Sequence, residues 1–236
     1  MEITFHPTRE HLGEFPPIPA KKFVPQWYKN LPAEMFDVTA ENMVKDGGST
    51  PFSVKRCVPV QDFMTVGYVI RSSSDIFLSA KDDENNYIWW KHSSTKESIV
   101  AHHPHGQCPI EINGSRKSYF KLKTGYRVQT PPGYSCLFYQ SPYFFENRFT
   151  LFPGIVDTDT YDAEVLFPGF VNERRADLKI DAGTPLVWVF PFKRDDWKST
   201  ISDTLDVYEQ STFRNRAANY INDIYKRFFH SKKTFD

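Results

Sequence analysis

Apolar and polar positions alternate most regularly from Ser118 onward, where the stretch Tyr119 to Pro142 reads as successive strands broken by Gly125 and by Pro131-Pro132-Gly133. Further apolar runs predict strands at Phe149 to Val156, Tyr161 to Phe167, Ala176 to Ile180 and Pro185 to Phe192, with no helix between them. Upstream, Val54 to Val60, Gly67 to Ile70, Ile76 to Ser79 and Tyr87 to Lys91 read as strands of a first sheet, the last two joined by the polar turn Lys81 to Asn86. Short strands separated by turn residues every ten or so positions predict a sandwich or barrel.

The two ends of the chain have other patterns. Glu14 to Pro32 is proline-rich, and each proline removes a donor and restricts the residue before it. An extended arm over residues 1–50 is expected there, with one helical turn at Gln26 to Lys29 and Phe23, Trp27 and Tyr28 as anchors. A β domain over 51–195 and a helical appendage over 196–236 complete the expected organisation. In the appendage Trp197, Ile201, Leu205 and Tyr208, and then Phe213, Ala217, Tyr220, Ile221, Ile224, Tyr225 and Phe228, recur at helical spacing, with Ser211 or Thr212 as a cap.

Composition narrows the partners. The chain has 29 basic and 29 acidic residues, a balance without the basic excess that nucleic-acid or anionic-membrane binding favours. No apolar run reaches a membrane span, and MEITFHPTREHLG carries charges where a signal peptide is apolar, so a cytoplasmic location is expected. Three cysteines, Cys57, Cys108 and Cys136, form no ligand spacing and read as reduced, buried thiols. An aromatic content of 16% suits a β-rich core.

Two clusters carry candidate chemistry. In His102-His103-Pro104-His105, His103 and His105 share a side if the backbone is extended, as a metal-ligand pair needs; with no partner at a recognised spacing, a solvated or hydrogen-bonded turn is the favoured reading. In Gly154-Ile155-Val156-Asp157-Thr158-Asp159-Thr160-Tyr161, two carboxylates and a tyrosine follow an apolar strand end. Such a turn can hold an Asp against a hydroxyl or a water, or can use it only to bond its own backbone. P-loop, dinucleotide-binding and Gly-x-Ser-x-Gly patterns are missing from the sequence.

Taken in order, Thr124-Gly125-Tyr126 with Pro131-Pro132-Gly133, then Gly154-Ile155-Val156-Asp157 with Tyr161-Asp162-Ala163-Glu164-Val165, then Asn172 with Ile180-Asp181-Ala182-Gly183, resemble the dUTPase and dCTP deaminase superfamily over about residues 118–192. That resemblance implies a mainly β, β-clip (dUTPase-like) sandwich or barrel, and a homotrimer with nucleotide sites at subunit boundaries. It implies Asp157 as the carboxylate orienting the attacking water, Tyr161 as the aromatic beneath the nucleoside, and Ser141, with Gln140 and Asp159 nearby, as ligand contacts. Mg²⁺ would accompany such a nucleotide. The chain departs from the pattern at Tyr139-Gln140-Ser141, which lacks the family's arginine, at Ala163 in place of glycine, and at its C-terminus, where helix replaces a glycine-rich arm. The whole chain also resembles an uncharacterised family of small proteins of tailed phages and bacteria. Two functions follow as expectations: a protein that binds or weakly hydrolyses a nucleotide or small polar ligand, and a non-enzymatic phage structural or host-interaction protein that assembles through Trp89-Trp90 and Phe144-Phe145.

Overall fold

A computed structural model describes residues 1–10, 15–34, 52–80, 88–92, 99–103, 111–112, 115–116, 119–173, 176–202 and 224–236. The chain divides into two units, one of Met1–Phe23 with Gly67–Arg194 and one of Val24–Val66 with Asp195–Asp236.

The first unit is mainly β, as the strand alternation predicts. In chain order its strands are β1 (Thr4–Pro7), β2 (Ile18–Pro19), β3 (Tyr68–Arg71), β4 (Ile76–Ala80), β5 (Ile88–His92), β6 (Val100–His102), β7 (Glu111–Ile112) and β8 (Ser115–Arg116). They continue with β9 (Tyr119–Lys123), β10 (Tyr126–Gln129), β11 (Tyr134–Tyr139), β12 (Phe149–Leu151), β13 (Gly154–Val156), β14 (Leu166–Val171), β15 (Ala176–Ile180) and β16 (Pro185–Lys193). The largest sheet has the order β13-β11-β16-β3-β2, a second has β12-β14-β9-β6, and a third has β15-β4-β5. Every pairing is antiparallel, including β1 with β10, where Thr4 faces Gln129.

Side chains of a strand alternate between two faces, and the five-stranded sheet buries both. Ile70, Cys136, Phe138, Val187 and Val189 point into the main core with Phe120, Phe149 and Phe167. Their neighbours in sequence, Val69, Leu137, Tyr139 and Trp188, form a second cluster on the other face. The arm covers that face: residues Ala20–Phe23 form a 3₁₀ turn whose Ala20 is fully buried and whose Phe23 joins the cluster. Phe144 closes it, its ring 4.9 Å from that of Trp188. Each large apolar side chain withdrawn from water contributes about 1.5–3 kcal/mol, so a two-faced central sheet explains the aromatic excess.

Four expectations are corrected. Val54 to Val60 is not a strand: residues Val54–Arg56 form a 3₁₀ turn and Val58–Thr65 a helix, α2, which follows α1 (Gln26–Asn30) in the second unit. Ser53 Oγ accepts from Lys55 N at 3.2 Å, and Pro59 sits in the first helical turn, where a missing N–H costs nothing. These local signals outweigh the strand preference of Val58 and Val60. Phe149 to Val156 is two strands in different sheets, β12 and β13, parted at Phe152-Pro153. Tyr161 to Val165 is not strand, because the carbonyl of Asp157 takes the N–H groups of Thr160 and Tyr161 at 3.1 and 2.9 Å and folds the chain into a turn. Trp197 and Ile201 lie outside any helix and are 92% and 93% exposed, so no packed face selects a helix there. The rest of that stripe, Leu205 through Ile221, lies outside the described residues; the last helix, α3, is Ile224–Phe228.

The second unit is held by polar ties. Tyr28, buried on α1, donates to the Lys55 carbonyl at 3.1 Å, and Lys55 Nζ donates to the Lys29 carbonyl at 2.8 Å. Past α3, Lys233 Nζ donates to Asp62 of α2 at 2.6 Å, and His230 Nε2 lies 3.1 Å from the same carboxylate. Among the described residues no helix is long and apolar enough to cross a membrane.

Candidate functional site

The site is assembled where β11 begins, β13 ends and β16 runs out. Thr130-Pro131-Pro132-Gly133-Tyr134 turns the chain into β11: Tyr134 N donates to the Pro131 carbonyl at 3.2 Å, with Pro132 and Gly133 as the two central residues. Gly133 has φ of 84°, a left-handed conformation that a side chain would strain and that proline followed by glycine favours in a type II turn. That geometry turns the Gly133 N–H toward Asp159, which accepts it at 2.8 Å, while the Gly133 carbonyl accepts from Arg194 N at 2.8 Å. One turn is thus stitched to both the Asp157–Asp159 segment and the end of the last strand.

Arg194 dominates the electrostatics. Its Nη1 donates to Asp159 Oδ1 at 2.8 Å and its Nη2 to Asp159 Oδ2, a forked pair that matches a planar guanidinium to a carboxylate. The same Nη1 lies 3.0 Å from Ser135 Oγ and 3.2 Å from Asp157 Oδ1. The Arg194 guanidinium and then the Gly133 N–H hold the Asp159 carboxyl down at about 2, well below the ordinary carboxylate range. Asp159 is fully engaged, its side chain only 6% exposed.

Asp157 differs. Ser135 Oγ donates to its Oδ1 at 2.6 Å, yet its side chain is 62% exposed, so one carboxylate oxygen is oriented from inside while the group faces water. Four residues on, Tyr161 is 44% exposed and its backbone N–H is tied to the Asp157 carbonyl. Between them Thr158 is buried, its hydroxyl 2.7 Å from that of Thr130 and donating to Cys136 Sγ at 3.4 Å. Burial pushes the Cys136 thiol up to about 11, so it is an inert core group, in keeping with a reduced buried cysteine.

The remaining candidates lie elsewhere. Gln140 follows β11 and clamps β12: its Oε1 accepts from Leu151 N at 2.9 Å and its Nε2 donates to the Phe149 carbonyl at 3.4 Å. Ser141 is buried at the start of the Pro142–Phe144 3₁₀ turn. Ser135 and Ser141 are separated by the length of a strand, about 20 Å at 3.3 Å per residue, so one chain does not bring Ser141 or Gln140 to Asp157. His103 follows β6 with its Nδ1 buried and unpartnered, and desolvation, then Lys121 and His102, lower its pKa. His105 lies outside the described residues, among which no three His, Cys, Asp or Glu side chains converge on a metal position.

Sequence reasoning missed Ser135 and Arg194. Ser135 sits in an alternating strand and reads as core, and Arg194 is 35 positions from Asp159, a pairing visible only once β11 and β16 lie side by side with Tyr134 opposite Lys193. Glu164 is placed too: it accepts from Gly125 N at 2.5 Å and pairs with Arg9, which anchors the chain end beyond β1.

No family model matches the chain, and no curated protein matches it. Among solved structures it is similar to the native EIAV dUTPase, at 10% identity over 59% of this chain and 87% of that one, with a TM-score of 0.34. It is similar to a variant dUTPase of the S. aureus phage phi11, at 13% identity over 61% and 85% of the two chains, with a TM-score of 0.35; that structure concerns a structural Mg(II) ion. A variant dUTPase of Staphylococcus bacteriophage 80alpha with dUpNHpp gives 12% identity over 61% and 80%, and a TM-score of 0.33. Each is a likeness over about three fifths of this chain, at an identity that assigns no activity.

Proposed function

We propose that the β unit binds a nucleotide or a related small polar ligand at the Asp157–Tyr161 turn. The observation that carries this reading is that Asp157 is oriented by Ser135 and Arg194 while its side chain stays 62% exposed. A carboxylate needed only for the turn would be consumed as Asp159 is. In this reading Asp157 accepts from a ligand hydroxyl or orients a water for slow hydrolysis, and the exposed Tyr161 ring offers a stacking face. Asp159 keeps the turn in shape.

Ser141 is buried and the Gln140 amide is spent on β12, so the site rests on Asp157 and Tyr161, and in the homotrimer that the family resemblance implies a second copy would lie beside them. Since no three ligating side chains converge among the described residues, Mg²⁺ in this reading arrives with the ligand's phosphates. The setting is the cytoplasm of a bacterium or of a phage-infected cell.

A thermal-shift screen of the whole chain against nucleoside mono-, di- and triphosphates, with and without Mg²⁺, tests this. A ligand at about 100 times its Kd adds roughly 2.7 kcal/mol to the native state. The shift should vanish in Asp157→Asn with the fold intact; an unchanged shift in that variant removes Asp157 from the site.

A second reading, a phage structural or host-interaction protein, is favoured by exposed apolar groups: Phe145, 68% exposed at φ 51°, and Ile155, 64% exposed on the edge strand β13. It expects silence across the nucleotides and self-association by light scattering that Ile155→Lys abolishes.

A further inference from the structure

The second unit ends in a segment that is both basic and aromatic. From Ile224 to Asp236 the sequence IYKRFFHSKKTFD carries Lys226, Arg227, Lys232 and Lys233 against a single acid, Asp236, a local excess that the charge balance of the whole chain conceals. All four cations are exposed. The turn of α3 runs on past Phe228, since the Tyr225 carbonyl accepts from the N–H groups of Phe229 and His230 at 3.0 and 2.9 Å. Tyr225, Phe228 and Phe229 therefore stand at helical positions i, i+3 and i+4, on one face. They are 41%, 68% and 50% exposed. Apolar groups exposed singly are ordinary, but three rings on one face make a patch.

The segment is pinned to its own unit. Asp62 of α2 accepts from Lys233 Nζ at 2.6 Å and lies 3.1 Å from His230 Nε2, and the His230 ring is 6.1 Å from that of Tyr225. One carboxylate thus fixes the chain just past α3, so the rings are displayed by a held turn. At about 3.6 residues per turn, Lys226 and Arg227 stand well round the helix from the three rings. Rings on one side and cations on the other is the layering of a helix lying in a membrane interface, with rings at the acyl boundary and cations among anionic headgroups. Stacking on single-stranded nucleic acid asks instead for rings set within a cationic groove.

We propose that the Tyr225–Lys233 segment docks on an anionic lipid surface, its three rings entering the headgroup boundary and Lys226, Arg227 and Lys232 pairing with lipid phosphates and carboxylates. It uses no residue of the Asp157 turn, so it stands or falls independently of the nucleotide reading.

Co-sedimentation of the whole chain with mixed phosphatidylcholine and phosphatidylserine vesicles, and with phosphatidylcholine vesicles, tests it. Binding to the mixed vesicles is expected, about tenfold or more weaker on phosphatidylcholine alone and weakened by added salt. Phe228→Ser, and the double variant Lys226→Gln with Arg227→Gln, should each lower that binding about tenfold or more. These side chains are exposed, so melting temperatures should match wild type. Ile155→Ser and Lys22→Gln, which remove an exposed apolar group and an exposed cation elsewhere, should bind as wild type does, and so should Asp157→Asn. No binding to the mixed vesicles, equal binding to both lipids, or unchanged binding in Phe228→Ser would overturn the proposal. So would Phe228-dependent binding of a single-stranded oligonucleotide, or Phe228-dependent self-association in light scattering, in place of vesicle binding.

Discussion

Arg194 and Asp159 form a forked ion pair that ties the end of β16 to the turn after β13. The pair is asymmetric: the Arg194 side chain is 39% exposed and that of Asp159 only 6%. Asp159 therefore depends on Arg194 for its charge balance, whereas Arg194 also serves Asp157 and Ser135. Two carboxylates two residues apart share one cation, one spent on structure and one left facing solvent.

Acid should dissolve this tie in a defined window. Asp159 keeps its charge in the fold down to about pH 2, whereas an unfolded aspartate takes its proton near 3.9. A depressed folded-state pKa means that the stabilisation is complete above about pH 4 and is lost as the pH falls from about 4 to 2. Asp159→Asn should be less stable than wild type at neutral pH, with a gap that closes across that window. Melting temperatures of both proteins as a function of pH measure it; parallel curves would show that the pair contributes nothing.

Gly67 enters β3 with φ of 73°, and a Cβ there would stand 2.2 Å from the Val189 carbonyl oxygen on β16. Both the backbone angle and the paired strand forbid the methyl group. Gly67→Ala should cost on the order of 3 kcal/mol or more in urea unfolding. Gly154→Ala is the control: nothing lies within 4 Å of its added Cβ, and it should shift stability by less than about 1 kcal/mol.

Glu164 joins Arg9 to the Gly125 turn, and the two charged side chains are 19% and 8% exposed. Glu164→Gln keeps an acceptor for the Gly125 N–H but removes the negative charge that Glu164 sets against the largely buried Arg9 guanidinium. A loss of about 2–3 kcal/mol is expected. Hydrogen exchange should show faster opening of the Thr4–Pro7 strand, whose pairing with β10 lies next to that anchor; unchanged protection there would make the ion pair dispensable.

How far the fold was legible depended on which forces acted locally. In β9 to β11 the breaks expected at Gly125 and at Pro131-Pro132-Gly133 fall between the strands, and in β15 and β16 the strand bounds agree closely with expectation. Val54 to Val60 misled because β-branched residues favour strands, while a serine that caps the Val54–Arg56 turn and a proline in the first turn of the helix after it, both shorter in range, set the structure. Tyr161 to Val165 misled because its apolar and acidic residues are held by a carbonyl and by Arg9, contacts that no periodicity encodes. At the candidate site, Asp157, Asp159 and Tyr161 stood out as a polar turn at a strand end. Ser135 and Arg194 did not, since their role exists only after strands far apart in sequence pair.

Ser135 offers the sharpest separation of structure from binding. It is fully buried, and its hydroxyl orients Asp157 at 2.6 Å and accepts from Arg194 at 3.0 Å. Ser135→Ala removes a hydrogen bond to a carboxylate that is already mostly in water and one from Arg194, whose guanidinium keeps Asp159, so the fold should lose no more than about 3 kcal/mol. Ligand recognition through Asp157 requires the carboxylate to present a fixed oxygen, and a carboxylate released from Ser135 keeps only the longer Arg194 contact at 3.2 Å. If the turn is the ligand site, affinity for the nucleotide found in the screen should drop about tenfold or more in Ser135→Ala, while Ser135→Thr, which keeps the hydroxyl, should restore most of it. Calorimetric titration of the two variants and wild type, alongside their melting temperatures, separates the cases. Equal loss in both variants would mean that Ser135 serves the packing of β11 and not the orientation of Asp157.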